Sequence, residues 1–370
     1  MPSTLPEFMK AQVLEAFNQP YVLKTFPIPE VQSENDIIVK VDASGYCHFD
    51  AQLAAGQAFG DPKSFPHIGG HEIAGTVVAL PHAPSTSAKA IKIGSRVGVP
   101  GRGFSACHTC FECKSPANAQ PGYSFYCQQG KSNGLSKHGG FAEYALVDAR
   151  QCVLLPDGMQ AVDAAPLMCA GVTIYKAIKT CKLAPGQRLG IVGCGGGLGH
   201  LGLQFADALG LEVTGIDAAD GPLKLAKSLQ TKAQIYDARL TSAQELAEEI
   251  GRVDGKQDKA DMGLDAVIIL PESQVSFEYG TKLLRNHALC VVVSIPEKGF
   301  NVSAWDLVYR NIKVSGTMLG SDADLRETVS IAAQYGVKPS KKIFSLAQIN
   351  DLVHDLHNGV GGKMVIDLSL

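Results

Sequence analysis

The chain has 370 residues, 45% hydrophobic and 19% charged, enough to bury a sizeable core, which excludes a disordered or collagen-like protein. Lysine and arginine number 33 against 36 aspartate and glutamate, a net charge of −3, so the chain carries no electrostatic footprint for nucleic acid or anionic lipid. No stretch approaches the roughly 18 to 20 consecutive apolar residues that span a bilayer, and Met1 to Met9 lack the basic start of a signal peptide; no membrane partner and a cytoplasmic location are expected.

From the N-terminus, residues 37–41 and 73–80 are compact apolar runs and 95–99 alternates, as strands do, with glycine and proline between them. Residues 81–90, rich in serine, alanine and proline, read as a loop. The texture changes at about Gln187. A short apolar run at 189–192 precedes a glycine cluster, and 201–209 carries helical spacing. Further strands are expected at 211–216, 234–236, 264–270, 288–293 and 312–314, mostly separated by helix-length stretches. That alternation is the sign of a doubly wound parallel sheet. Beyond Met318 come helices at 322–335 and 346–356 and a terminal strand at 363–367. Two domains are expected: one from 1–165 together with 318–370, and a dinucleotide-binding one over 166–317.

The glycine cluster, Gly193, Gly195, Gly196, Gly197 and Gly199 with Leu198 among them, follows a strand and opens a helix. There, backbone N–H groups and the helix dipole hold a pyrophosphate, and glycine lets the chain approach it closely. The next strand ends at Asp217, about 20 residues on, where a carboxylate accepts the ribose hydroxyls and repels a 2′-phosphate. Asp217 also suits a plain turn cap. With strand, glycines, helix, strand and acid in order, NAD(H) is expected in preference to NADP(H).

Ten cysteines invite a disulfide reading, but a long chain without a secretory signal uses cysteine for metals, nucleophiles or packing. Cys107, Cys110 and Cys113 at intervals of three, followed by Cys127, fit a closed tetrahedral zinc site of structural type. A second, dispersed set comprises Cys47 in Cys47-His48-Phe49-Asp50, His71 in Gly70-His71-Glu72, and Cys169 at a helix start. Taken singly, these cysteines suit buried packing and the histidine a hydrogen-bonded core position.

Together, Gly70-His71-Glu72-x-x-Gly75, the Cys107 cluster, the Leu167 to Thr173 segment, the glycine cluster and Gly362-Lys363 resemble the zinc-dependent alcohol dehydrogenases of the medium-chain dehydrogenase/reductase superfamily, yeast-type most of all. The resemblance runs from about Met9 to the C-terminus. It implies a Rossmann domain plus a β-rich GroES-like catalytic domain completed by the C-terminal segment, two Zn²⁺ per chain, a small-molecule substrate, and a homo-oligomer, dimer or tetramer. It implies further that Cys47, His71 and Cys169 hold a catalytic zinc, with Glu72 able to exchange onto it and Asp50 orienting His71. His48 would lie by the cofactor diphosphate and Thr173 by the nicotinamide, while Lys363 stands where relatives have arginine.

The pattern breaks at the proton relay. Relatives carry serine or threonine where this chain has Phe49, and often histidine at Gln52. A phenyl ring cannot pass a proton, so the expected activity is alcohol–carbonyl interconversion favouring reduction; the alternatives are reduction of a C=C or C=N bond, and a catalytically silent relative. In the pocket, Ala58 and Arg102 fall about where small-alcohol enzymes place aromatics, which would widen it and make one wall basic. An apparent insertion between Ser115 and Tyr126 leaves Cys127 the least secure of the four cysteines.

Overall fold

Six short segments between residues 188 and 316, apolar at the centre and more polar at the two edges, lie side by side as one parallel sheet. In spatial order they are Gln234–Asp237, Glu212–Asp217, Arg188–Val192, Leu264–Ile269, Leu284–Val292 and Lys313–Gly316. Numbered along the chain, that order is 3-2-1-4-5-6, the doubly wound dinucleotide-binding topology, which reverses direction beside the central Arg188–Val192 strand. Four of that strand's five residues are buried, as a parallel strand covered on both faces requires. The computed structural model describes residues 5–57, 62, 64–85, 90–101, 106–115, 124, 126–357, 359 and 361–370. Ala58 and Arg102 lie outside the described residues, as do most positions between Ser115 and Tyr126 and residues 86–89 of the expected loop.

The second sheet is mostly antiparallel and has seven strands. Its path runs Lys341–Phe344, Lys363–Asp367, Asp36–Tyr46, Glu72–Ala79, Arg96–Val99 and Val153–Leu154, with Tyr144–Asp148 also on Asp36–Tyr46. The C-terminal strand thus pairs with an N-terminal one, Met364 opposite Tyr46 and Asp367 opposite Ala43. Phe8–Leu14, Val22–Pro27 and His67–Ile68 form a smaller sheet beside it. One apolar core joins Met9, Ala11, Val13 and Leu14 to Phe344, Ile349, Leu352 and Ile366. Another runs from Ala43 and Ala74 through the Ala170–Cys181 helix to Leu189 and Ile191 of the parallel sheet. No single described helix is long and apolar enough to cross a membrane.

Differences from the sequence reading are local and have physical causes. Phe8–Leu14 buries four residues in succession, which hides the alternation expected of a strand. The helix expected at 346–356 is a short 3₁₀ turn, Leu346–Gln348, followed by Ile349–His357, because Ser345 and Gln348 form a capping box that starts the first turn tightly. The helix Asp322–Tyr335 keeps its expected bounds. Ser321 caps it, and Gly336 in the left-handed region ends it.

Candidate active site and metal centres

Cys47 ends a buried strand and caps the short helix His48–Ala54, His71 and Glu72 open the Glu72–Ala79 strand, and Cys169 caps Ala170–Cys181. These elements bring one donor atom each from Cys47, His71, Glu72 and Cys169 within 4.8 Å of one another. Asp50, fully buried, accepts three hydrogen bonds: from Cys47 N–H at 2.9 Å, from Gly70 N–H at 3.3 Å and from His71 Nδ1 at 3.0 Å. That bond makes Nδ1 the protonated nitrogen and leaves Nε2 as the donor to a metal. Asp50 therefore orients the imidazole and also clamps the two loops that carry the first ligands.

Glu72 is buried with one carboxylate oxygen, Oε1, 2.7 Å from Lys363 Nζ; Lys363 also donates to the Tyr46 carbonyl at 3.0 Å. Its other oxygen, Oε2, is buried without a hydrogen-bond partner. Burial pushes the carboxyl up to about 7 against the pull of Lys363. Cys47 and Cys169 share a thiol hydrogen bond that lowers the first and raises the second. Two thiols, an imidazole nitrogen and an orphaned carboxylate oxygen, converging in a buried spot, form a donor set suited to zinc.

The second cluster lies on a separate loop. Cys127 Sγ is 3.6 Å from Cys107 Sγ and 3.9 Å from Cys110 Sγ, and the four sulfurs with Cys113 lie within 4.8 Å of one another. Zinc–sulfur bonds of about 2.3 Å arranged tetrahedrally require sulfurs about 3.8 Å apart, so the spacing fits. Backbone N–H groups of Cys110, Cys113 and Cys107 point at Cys107, Cys110 and Cys127 Sγ respectively, which favours thiolates. Donation from the Thr109 and Cys110 backbone lowers the Cys107 thiol to about 5, while burial first of all pushes Cys113 up to about 12. The donor set thus offers four protein sulfurs, with Cys127 lying among the other three.

The glycine loop faces the first cluster across a cleft of about 940 Å³. Its lining includes Cys47, His48, Phe49 and Gln52 on one side and Gly193, Gly196, Gly197, Leu198, Gly199 and Asp217 on the other. Gly193 has φ +83°, and a Cβ on Gly195 would sit 2.0 Å from the Pro222 carbonyl oxygen. Glycine is required at both. Asp217, at the end of its strand, accepts Gly195 N–H at 3.0 Å on one oxygen and Ala218 N–H at 2.8 Å on the other. It is both the turn cap and the acid facing the cleft. Gly195 turns its N–H to Asp217 and is not part of the lining.

The remaining expected residues divide. His48 is exposed in the cleft, and the Phe49 ring lines it too, meeting the His71 ring edge-on at 6.2 Å. Thr173 is buried one turn after Cys169. Lys363 reaches its aliphatic stem past Gly197 but spends its ammonium on Glu72 and Tyr46. Sequence reasoning missed Gln57, Leu270 to Glu272 and Val293 to Glu297, which line the same cleft. Several follow the C-terminal ends of Leu264–Ile269 and Leu284–Val292, where ligands of doubly wound sheets bind, so the strand order alone was the signal.

Comparison with known proteins covers nearly the whole chain. The family model described as "Alcohol dehydrogenase GroES-like domain" matches residues 33–157, and "Zinc-binding dehydrogenase" matches 197–334. An alcohol dehydrogenase of Geobacillus stearothermophilus is 33% identical over 97% of this chain and 99% of its own length. One from Moraxella sp. (strain TAE123) is 33% identical over 98% of this chain and 100% of its own. The crystal structure of the Aeropyrum pernix alcohol dehydrogenase superposes with a TM-score of 0.80 at 25% identity, covering 97% of this chain and 99% of that one.

Proposed function

The chain belongs to the zinc-type alcohol dehydrogenase family, an enzyme family of zinc- and nicotinamide-dependent oxidoreductases acting on small molecules, and from that premise we propose that it reduces a carbonyl to an alcohol with NADH. One observation carries the reading: a single cleft is lined by Cys47 of the four-donor cluster on one wall and the dinucleotide glycines on the other. In this reading Cys47, His71 and Cys169, with Glu72 in reserve, hold the catalytic zinc, and Cys107, Cys110, Cys113 and Cys127 hold the structural one. When bound, zinc supplies Lewis-acid polarisation of the substrate oxygen, and the nicotinamide supplies or accepts hydride. Asp50 keeps the His71 proton on Nδ1. Lys363 neutralises Glu72 and so limits repulsion beside the thiolates.

The direction follows from Phe49. Its ring lies against His71 and offers no group to carry a proton between substrate and solvent, while Gln52 and Gln57 do not titrate. Alcohol oxidation must take the proton off the hydroxyl before hydride leaves, whereas in reduction hydride is delivered first and the proton follows, so the missing carrier weighs more on the turnover number of oxidation than on that of reduction. The same ring supports a second reading, reduction of a polarised C=C or C=N bond, which requires no proton at the substrate oxygen in the hydride step. The preference for NAD(H) rests on Asp217, with no lysine or arginine among the described residues lining the cleft to hold a 2′-phosphate.

We assign 1–165 and 318–370 to the catalytic domain and 166–317 to the cofactor domain, supported by the pairing of Lys363–Asp367 with Asp36–Tyr46. We also assign a homo-oligomer in which the free edge of Lys313–Gly316 meets a second copy. Val314 is exposed on that edge, and Trp305, Val308 and Tyr309 lie exposed just before it.

The test is an assay of NADH and NADPH oxidation against aldehydes, ketones, enals and cyclic imines, with zinc analysis alongside. Carbonyl turnover with NADH and about two zinc ions per chain are expected. Turnover of enals or imines alone selects the second reading, and turnover with NADPH alone overturns the cofactor preference.

A further inference from the structure

Behind the glycine loop lies a histidine that the proposed chemistry does not use. His200, in the first turn of the Gly199–Ala208 helix, is fully buried. Its Nδ1 is 2.8 Å from the Gly196 carbonyl oxygen, which also receives the His200 backbone N–H at 3.2 Å. Its Nε2 accepts the Ser340 backbone N–H at 3.0 Å. A carbonyl can only accept and an amide N–H only donate, so the partners settle the tautomer: proton on Nδ1, bare Nε2. Burial, with a lesser push from Lys363, holds the ring's pKa at about 4, and it remains neutral at physiological pH.

The two partners belong to different parts of the molecule. Gly196 lines the cleft. Ser340 precedes the Lys341–Phe344 strand, and its own carbonyl accepts the N–H of Lys363 at 2.8 Å. Lys363 in turn holds Glu72 of the metal-ligand cluster. The Gly196–Gly197 peptide is planar and trans, so anchoring the Gly196 oxygen on His200 aims the Gly197 N–H the opposite way. Gly197 lines the cleft too, and with glycine on both sides of the peptide its oxygen is held by the His200 backbone N–H at 3.2 Å and, more closely, by the His200 ring at 2.8 Å.

We propose that His200 is a positioning residue for the cofactor: it fixes the Gly196–Gly197 peptide so that the Gly197 N–H is presented to the dinucleotide's diphosphate, and it locks that peptide to the Ser340 segment that carries Lys363. The proposal rests on the dinucleotide reading of the glycine loop. One turn further along the same helix face, Gln204 makes a comparable tie without touching the loop or the His200 ring, donating to the Lys338 carbonyl at 2.9 Å and to the His200 backbone carbonyl at 3.0 Å and accepting the Lys338 N–H at 3.1 Å. Gln204 thus provides an internal control for a merely structural strut.

The test measures NADH dissociation constants by fluorescence titration, and melting temperatures, on the full-length zinc-loaded protein. His200→Phe keeps a ring but loses both bonds and is expected to weaken NADH about fivefold or more. His200→Asn, whose amide stands near the Nδ1 position, recovers most of the affinity, and Gln204→Leu lowers the melting temperature with NADH affinity within about twofold of the parent. Equal NADH affinity in parent and His200→Phe overturns the proposal, as does an equal loss in Gln204→Leu. Should His200→Phe not fold, His200→Asn is compared with His200→Gln, whose amide reaches the Nε2 level instead; tighter binding by Gln than Asn overturns the proposal. A parent protein that binds neither NADH nor NADPH refutes the dinucleotide reading itself, a separate outcome.

Discussion

Phe49 sits one residue before Asp50 and two after Cys47, so its backbone is held by the metal-ligand loop while its ring faces His71. Replacing it with serine puts a hydroxyl beside the ligands without altering any of them. Phe49→Ser is expected to raise kcat for alcohol oxidation by about a hundredfold, the lower range of general acid–base contributions, and to change its pH profile, with kcat for carbonyl reduction altered far less while kcat/KM moves together in the two directions. Steady-state rates in both directions between pH 6 and 10 check this; an unchanged oxidation profile would show that Phe49 does not set the direction. The four cysteines from Cys107 to Cys127 were legible from residue type and short spacing, whereas the dispersed Cys47, His71 and Cys169 and the significance of Phe49 were legible only through the family resemblance. Lys363 was legible as a position but not as a partner, because its bond to Glu72 depends on a C-terminal strand lying beside Asp36–Tyr46.

At the scale of elements, the glycine loop is determined by close approach. A methyl group on Gly195 would meet the Pro222 carbonyl at 2.0 Å, and backbone cannot yield as a flexible side chain does. Gly195→Ala is expected to destabilise the protein by about 1–3 kcal/mol and to abolish measurable NADH binding, as denaturant titration and fluorescence will show. The helix Asp322–Tyr335 depends on Asp324, which accepts from Ser321 N–H at 3.0 Å and from Lys179 Nζ, on the Ala170–Cys181 helix, at 2.8 Å. Burial raises the carboxyl, but the bonds from Lys179 and Ser321 outweigh it and bring the pKa down to about 2. A folded pKa below the unfolded one contributes stability above the unfolded value, lost as pH falls through the folded value. Asp324→Asn should therefore cost about 1 kcal/mol at pH 7, allowing for the partly exposed Lys179, and the difference from the parent should shrink between about pH 4 and pH 2. Equal losses at pH 7 and pH 2 in urea titrations would remove the ion pair as the cause. The bounds of this helix were readable because a capping serine and a terminal glycine bracket it. The N-terminal strand Phe8–Leu14 was not, because burial on both faces removes the period-two signal.

For the whole molecule, the free edge of the parallel sheet is the feature that a monomer leaves unexplained. Val314 lies exposed on the last strand, and Val308 and Tyr309 beside it are more than two-thirds exposed. Val314→Lys is expected to shift the protein to monomers in sedimentation equilibrium, with melting unchanged at low concentration; a parent that is monomeric at micromolar concentration overturns the assignment. What the sequence by itself determined is the pattern carried by short spacing: four cysteines within 21 residues, glycines between strand and helix, and an acid at the next strand end; the missing hydroxyl at Phe49 is what the family resemblance implied. These are local, because each turn or ligand loop is built from adjacent residues. Only the tertiary structure decided which distant groups face one another. The pairing of the C-terminal strand with Asp36–Tyr46 sets Lys363 on Glu72, and the helix Gly199–Ala208 brings His200 to Ser340. The order of the parallel strands places Glu272 and Ile295 in the cofactor cleft. Those contacts come from the crossing of long chain segments, which burial of apolar surface drives and no local motif records.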